Sequence, residues 1–330
     1  MPVFNGIATI ERAISSCKGL LKFNDIDLTL FIIDNNSNDG TLELINDLIS
    51  PNFPVHVICN NTNIGPGLGR NLALDKVNEG FVGFLDSDDE IIPNNYYKTF
   101  KEGFLNGADW ITFNGWTEKN DVLSEKYDFN RIKDNTNMLI RKCLRSELDG
   151  SVIFSIYSTD LIERMNLRFT DGFYEDIPFA YTAMVLAKNR HKSNHLSYVK
   201  HNTADSIVNS ISEKHINGML KSCVTVKNNF QKLNKNYLTH LESDFIFGAH
   251  GYLANLIRNI LKNNKNEIKI KLLQHLMKIK EATPELTQLP LKKDTKKELL
   301  SSYFIEKYKI SNQEEFLHNL INLNKELFGK

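Results

Sequence analysis

The sequence predicts an α/β protein, a mostly parallel sheet flanked by helices and followed by a helical C-terminal region. Two observations carry that fold class: strand-length apolar runs alternate with helical periodicities through Leu85, and past Ser212 the pattern becomes long, Lys- and Asn-rich amphipathic stretches. A third points to function, because each early strand ends in a cluster of Asp, Asn or Gly.

Ile10, Ala13, Ile14, Cys17, Leu20 and Leu21 share one face at helical spacing, and Leu28 to Ile33 is then apolar for the length of a buried strand. The alternation continues with a helix around Thr41 to Ile49, a strand Val55 to Cys59, a helix from about Arg70 to Val77 and a strand Phe81 to Leu85. In doubly wound sheets ligands bind beyond the carboxyl ends of the strands. Here those ends read Asp34-Asn35-Asn36-Ser37-Asn38-Asp39-Gly40, Asn60-Asn61-Thr62-Asn63 and Asp86-Ser87-Asp88-Asp89, so carboxylates and amides converge on one edge. Amphipathic helices are expected over Phe245 to Leu261 and Phe316 to Leu327, with breaks at Pro284 and Pro290 and no internal repeat.

The 330 residues are 41% hydrophobic, enough for a substantial core in one or two domains. Forty basic residues balance forty acidic ones, which argues against nucleic acid as a partner. The balance is local, since residues 213–330 carry 20 of the basic but only 12 of the acidic side chains. Peripheral membrane contact, a homo-oligomer interface and plain solvated helix faces all fit a basic tail; its densest cluster, Lys292-Lys293 and Lys296-Lys297, is interrupted by Asp294 and Glu298. Cys17, Cys59, Cys143 and Cys223 show no metal or disulfide spacing and read as reduced thiols. With no apolar run near the ~20 residues of a membrane span and no leader-like N-terminus, a cytoplasmic location is expected, with peripheral attachment to the inner face of the cell membrane as the variant.

Asp86-Ser87-Asp88 puts two carboxylates two residues apart at a strand end, a hard-oxygen set suited to Mg²⁺ or Mn²⁺; the alternative is an acidic turn capping the next helix. Asp34 to Thr41 can supply helix caps or partners for a base and ribose. Gly65-Pro66-Gly67-Leu68-Gly69-Arg70 can bring backbone N–H groups and a guanidinium to phosphates, but it follows the third strand, which excludes a dinucleotide fingerprint. Trp110, Trp116 and Tyr174 offer flat faces to a sugar, with Trp110 better placed as core.

In order and spacing, Pro2-Val3-Phe4-Asn5, Ile33-Asp34 through Thr41, Asn63-Ile64-Gly65 with Gly69-Arg70-Asn71, and Phe84-Leu85-Asp86-Ser87-Asp88-Asp89 resemble family 2 glycosyltransferases over about residues 2–212. The resemblance implies a GT-A fold over 1–212, with a Rossmann-like nucleotide half (about 1–115) and an acceptor half (about 116–212), followed by a helical region over 213–330. It also implies a divalent metal cofactor, a nucleotide-diphosphate sugar donor and inversion at the anomeric carbon. By position, Pro2, Phe4, Asn5, Asp34, Asn36 and Asn63 would serve the nucleotide, joined by Arg70, Asp86 and Ser87. Asp86 and Asp88 would hold the metal, with His201 as a third ligand. Asp89 and Trp116 would face the acceptor. Phe173-Tyr174-Glu175-Asp176 resembles the family's Glu-Asp motif, making Asp176 the general base and Glu175 a residue that orients the base or acceptor; the alternative is an acidic first turn ahead of Ile177. Tyr198-Val199-Lys200-His201 and Asp205-Ser206-Ile207-Val208 resemble the segment that closes over the diphosphate.

Three departures stand out. The sequence begins directly on Pro-Val-Phe-Asn, where the family has a preceding buried strand, so a missing first strand is expected. Gly69 stands where an alanine commonly precedes the arginine, and Asn35 replaces a second aspartate. The leading expectation is an inverting transferase, UDP-sugar its likeliest donor class, acting on a glycan or lipid-linked glycan of a bacterial surface polysaccharide. A non-catalytic sugar-nucleotide-binding or scaffolding subunit is the competing one, and a nucleotidyltransferase lacks its N-terminal Gly-rich loop.

Overall fold

The computed structural model describes residues 1–119, 122–126, 135–201, 211–233, 240–309 and 312–329. In chain order the elements are β1 (Pro2–Val3), α1 (Ile10–Lys18), β2 (Leu30–Asp34), α2 (Thr41–Leu48), β3 (Val55–Cys59), α3 (Gly65–Leu74), β4 (Phe81–Gly83), β5 (Glu90–Ile91), α4 (Pro93–Leu105), β6 (Trp110–Lys119) and β7 (Val122–Lys126). There follow α5 (Thr136–Leu144), β8 (Ser155–Ser158), α6 (Thr159–Arg164), α7 (Asp176–Leu186), β9 (Arg190–His201), α8 (Glu213–Gln231), α9 (Leu241–Leu261), α10 (Asn266–Ala282), α11 (Pro284–Thr287), α12 (Lys296–Lys307) and α13 (Gln313–Phe328). They gather into two compact units, one of Met1–Asp134, Asp149–Asp171 and Glu175–Ser206, the other of Asn135–Leu148, Gly172–Tyr174 and Ile207–Lys330.

In the first unit the expected parallel arrangement holds for β1-β2-β3, with Ile33 opposite Pro2 and Ile58. Ile32 and Ile33 are fully buried, as are Ile10, Ala13 and Ile14 of the predicted helical face. Pro2–Val3 stands where the sequence comparison anticipated a missing strand, and its two residues are pinned because Ile33 and Asn35 donate to the Met1 and Val3 carbonyls, each at 2.9 Å. The second sheet, ordered β4-β8-β6-β9-β5 with β7 on β6, is mixed; only β6 and β9 run parallel, over Trp110 to Glu118. Sequence periodicity missed β9, because Arg190-His191-Lys192-Ser193-Asn194-His195 reads as surface. Trp110 is 1% exposed, the core role expected of it.

Helix α3 starts at Gly65, so the glycine segment expected to be a loop is its first turn, with Pro66 at a position that needs no amide donor. Phe84, Phe169 and Phe179 cluster beneath the Asp86 turn, Phe169 stacking on Phe179 with centroids 4.3 Å apart.

The second unit is helical. Its core lines α9, where Leu253, Ala254, Leu256, Ile257 and Ile260 are fully buried, and Asp244 is buried between the guanidiniums of Arg141 and Arg145 at 3.0 and 3.5 Å. Residues 172–174 belong here: the Ser222 hydroxyl donates to the Tyr174 carbonyl at 2.5 Å and the Phe173 ring meets His215 edge-on. No helix among the described residues is long and apolar enough to cross a membrane.

Candidate active site

The parallel order of β1, β2 and β3 brings their carboxyl ends to one edge of the first sheet, where two loops are stapled together. Asn5 donates its amide to Ser37 Oγ at 2.9 Å and accepts from the Asn38 amide at 2.9 Å, while the Gly6 and Ile7 amides donate to Thr41 Oγ1 and Asp39 Oδ2. Asn5 and Asn36 take left-handed backbone conformations (φ 51° and 66°), which asparagine tolerates better than most residues. Asp34 is buried and accepts from the Ser37 amide, whereas Phe4 is 47% exposed beside it. Asn63 accepts from the Gly65 amide at 2.9 Å, closing a turn just ahead of α3. The two departures from the family pattern meet here, since a Cβ at Gly69 would lie 3.4 Å from the Asn35 amide nitrogen.

The next strand end carries the acidic turn. One ligand atom from each of Asp86, Asp88 and Asp89 lies within 4.8 Å of the others, the sole such group among the described residues. The three carboxylates differ in how they are occupied. Asp86 Oδ1 pairs with Arg70 Nη2 at 2.6 Å. Asp89, 1% exposed, accepts from the Tyr198 hydroxyl at 2.8 Å and the His201 amide at 2.8 Å. The Asp88 side chain accepts from no other described residue, although Arg12 donates to its backbone carbonyl. Burial and the neighbouring Asp86 raise the Asp88 pKa; burial, Asp86 and Asp88 push that of Asp89 up to about 8. Crowded negative charge of this kind, with an all-oxygen donor set, suits a hard divalent cation. Ser87 lies between these residues, its side chain packed towards Gly6.

Arg70 joins this turn to the start of α7. Its guanidinium is 5% exposed, reaches Glu175 Oε1 at 2.8 Å through Nη1, and lies 5.3 Å above the Phe169 ring. Burial alone would lower its pKa, but Asp86 and Glu175 raise it, so it is a fixed internal cation. The approach of α3 is close enough that a Cβ at Gly67 would stand 2.4 Å from Glu175 Cγ, so only glycine fits. Burial raises the Glu175 pKa despite Arg70. Asp176, the first residue of α7, accepts a hydrogen bond from no other described residue; burial and Glu175 push its pKa up to about 7. Tyr174, immediately before, is left-handed at φ 60°, a costly conformation for an aromatic residue.

The structure thus brings together Asp86, Asp88, Asp89, Arg70, Glu175 and Asp176. His201 is set apart from the carboxylate cluster, its ring Nδ1 meeting Glu118 and its Nε2 Glu90 at 3.0 Å. Trp116 is half-buried on β6 opposite Val199. Asp205 to Val208 lie outside the described residues. Two residues that the sequence reading placed only within the Tyr198 to His201 segment, with no role of their own, stand out here. Tyr198 bonds both ends of the acidic turn, and Lys200, on the same face of β9 by strand alternation, lies in the field of Asp86, Asp89, Asp176 and Asp149, which raise its pKa against the effect of burial. A lysine two residues from a tyrosine in a strand was the available signal.

Comparison with known proteins is consistent with this geometry. The family model "Glycosyl transferase family 2" matches residues 1–165. A GalNAc(5)-diNAcBac-PP-undecaprenol beta-1,3-glucosyltransferase of Campylobacter jejuni is 27% identical over 175 residues, 53% of this chain and 54% of that protein. A chondroitin synthase of Pasteurella multocida is 27% identical over 252 residues, 74% of this chain but 24% of the relative. The alignment therefore spans about half, or less, of the curated relatives' length. Among solved structures, S. aureus TarS 1-349 in complex with UDP-GlcNAc superposes with a TM-score of 0.72 at 17% identity, over 98% of this chain and 90% of TarS 1-349, which establishes the shared fold.

Proposed function

This chain belongs to glycosyl transferase family 2, and we propose on that premise that it transfers a sugar from a nucleoside diphosphate donor, of the UDP-sugar class, to a glycan or lipid-linked glycan acceptor with inversion. One observation carries the reading. Of the acids gathered around Arg70, Asp88 and Asp176 are the two whose carboxylates accept no hydrogen bond from another described residue, one in the turn after β4 and the other at the start of α7.

An acid base with a pKa near neutrality suits proton abstraction from a sugar hydroxyl. Asp176 accepts that proton as the hydroxyl oxygen bonds to the anomeric carbon, and the bond from that carbon to the diphosphate oxygen breaks on the opposite face. Glu175 does not move the proton; tied to Arg70, it fixes the first turn of α7 and so the direction of Asp176. Asp34 and the exposed Phe4 receive the ribose and base, with Asn5, Asn36 and Asn63 shaping their loops. Asp86 and Asp88 suit Mg²⁺ or Mn²⁺, which when bound would offset the charge of the departing diphosphate. The undecaprenol-linked acceptor of the Campylobacter relative and the UDP-GlcNAc held by TarS support a surface-polysaccharide role and a UDP donor.

The test is a thermal-shift series with UDP, GDP, CDP and ADP, each with Mn²⁺ or EDTA, on the native chain and Asp88→Asn. A metal-dependent rise with UDP that Asp88→Asn abolishes is expected. No rise with any nucleotide in folded protein would sink the transferase reading in favour of a scaffolding role.

A further inference from the structure

The acidic turn is held in a closed ring of hydrogen bonds that no proposed chemical step uses. The Asp86 amide donates to the Tyr198 hydroxyl at 3.2 Å, that hydroxyl donates to Asp89 Oδ2 at 2.8 Å, and the Asp89 amide returns to the Asp86 carbonyl at 3.1 Å. A second tie runs from the His201 amide to Asp89 Oδ1 at 2.8 Å. Glu90 and Ile91, directly after the turn, pair antiparallel with Val199 and Tyr198, so the ring closes on a strand ladder. Tyr198 is fully buried and Asp89 nearly so, and both Asp89 oxygens point into protein. A carboxylate so placed is turned to β9 and closed off from a sugar arriving from solvent. A tyrosine hydroxyl that both accepts from one end of a turn and donates to the other fixes its span more tightly than either bond alone.

We propose that Asp89 and Tyr198 are positioning residues that hold Asp86 and Asp88 in donor-receiving geometry, in place of the acceptor-facing role that sequence comparison gave Asp89. The proposal rests on the reading of that turn as the donor site. Its logic is a division within one tetrapeptide: Asp86 and Asp88 stay half-exposed, and Asp89 anchors them to β9. Tyr198→Phe removes one hydroxyl and keeps the ring packed on Phe154; Asp89→Asn keeps shape and removes one acceptor.

Amide exchange and ligand binding on the full chain test it together. In both variants exchange at residues 86–91 should quicken at least about tenfold while α7 keeps its protection. The Kd for UDP with Mn²⁺ should weaken about tenfold, with the acceptor KM unchanged. Unchanged exchange in the two variants overturns the proposal, as does a rise in acceptor KM with UDP affinity intact, which would return Asp89 to the acceptor. If the unsubstituted chain binds none of the nucleoside diphosphates, the donor reading fails on its own, and the exchange result still decides whether the ring holds the turn.

Discussion

The turn after β4 and the first turn of α7 each pair a tied acid with a free one, but they tie it differently. After β4 the anchor is a network of neutral donors, the Tyr198 hydroxyl and the His201 amide on Asp89. At α7 the anchor is a buried charge, Arg70 on Glu175. Neutral donors fix the direction of Asp89 without adding a counter-charge to it. The guanidinium opposes protonation of Asp176, and it is burial and the neighbouring Glu175 that push that carboxyl up to about 7 in spite of it. Arg70 also reaches Asp86, so the two regions share one counter-ion.

The harshest way to break that comparison is to remove the shared ion. Arg70→Met leaves Asp86 and Glu175 facing one another without compensation and should cost about 3–5 kcal/mol, read by urea unfolding, with activity lost; a cost under about 1 kcal/mol would mean the regions are independent. Next in size, Asp176→Asn should lower kcat by about 10³-fold while the nucleotide-induced rise in Tm persists. Asp88→Asn should do the reverse, abolishing the metal-dependent part of that rise and lowering turnover about 10²-fold. Loss of both signals in each variant would erase the distinction between the regions.

A pH profile sharpens it further. Asp176 works deprotonated and its pKa stands at about 7, so kcat should climb with pH up to about 7 and level off above it, falling tenfold per unit on the acid side. The stability consequence has the opposite sign. A carboxyl whose folded pKa exceeds its unfolded value binds more protons when folded, so stability declines as pH rises from about 4 to about 7. Asp176→Asn therefore should raise Tm slightly at pH 8, by about 2 °C, the smallest effect in the series. A pH-independent difference between the two proteins would show that Asp176 is not held against its charge.

Much of the first sheet was legible because its strands are apolar runs with polar ends: Leu30–Asp34 and Val55–Cys59 lie within or at the predicted segments. Asp86, Asp88, Glu175 and Asp176 were legible as types at spaced positions. Helix α3 was misjudged at its start because glycine and proline at 65–69 signal a loop locally, whereas packing against Glu175 demands the small residue inside a helix. Strand β9 was illegible because its first six side chains are polar and its partner β6 lies about 80 residues away along the chain.

The sequence by itself determined which chemical groups exist and roughly where strands release them: an acidic turn, a Glu-Asp pair ahead of an apolar helix, an arginine after a glycine run. Tertiary structure alone decided which of those acids are free. Occupancy depends on partners 16 to 112 residues distant, Arg70, Tyr198 and the His201 amide, and no local pattern records whether a carboxylate's oxygens are already taken.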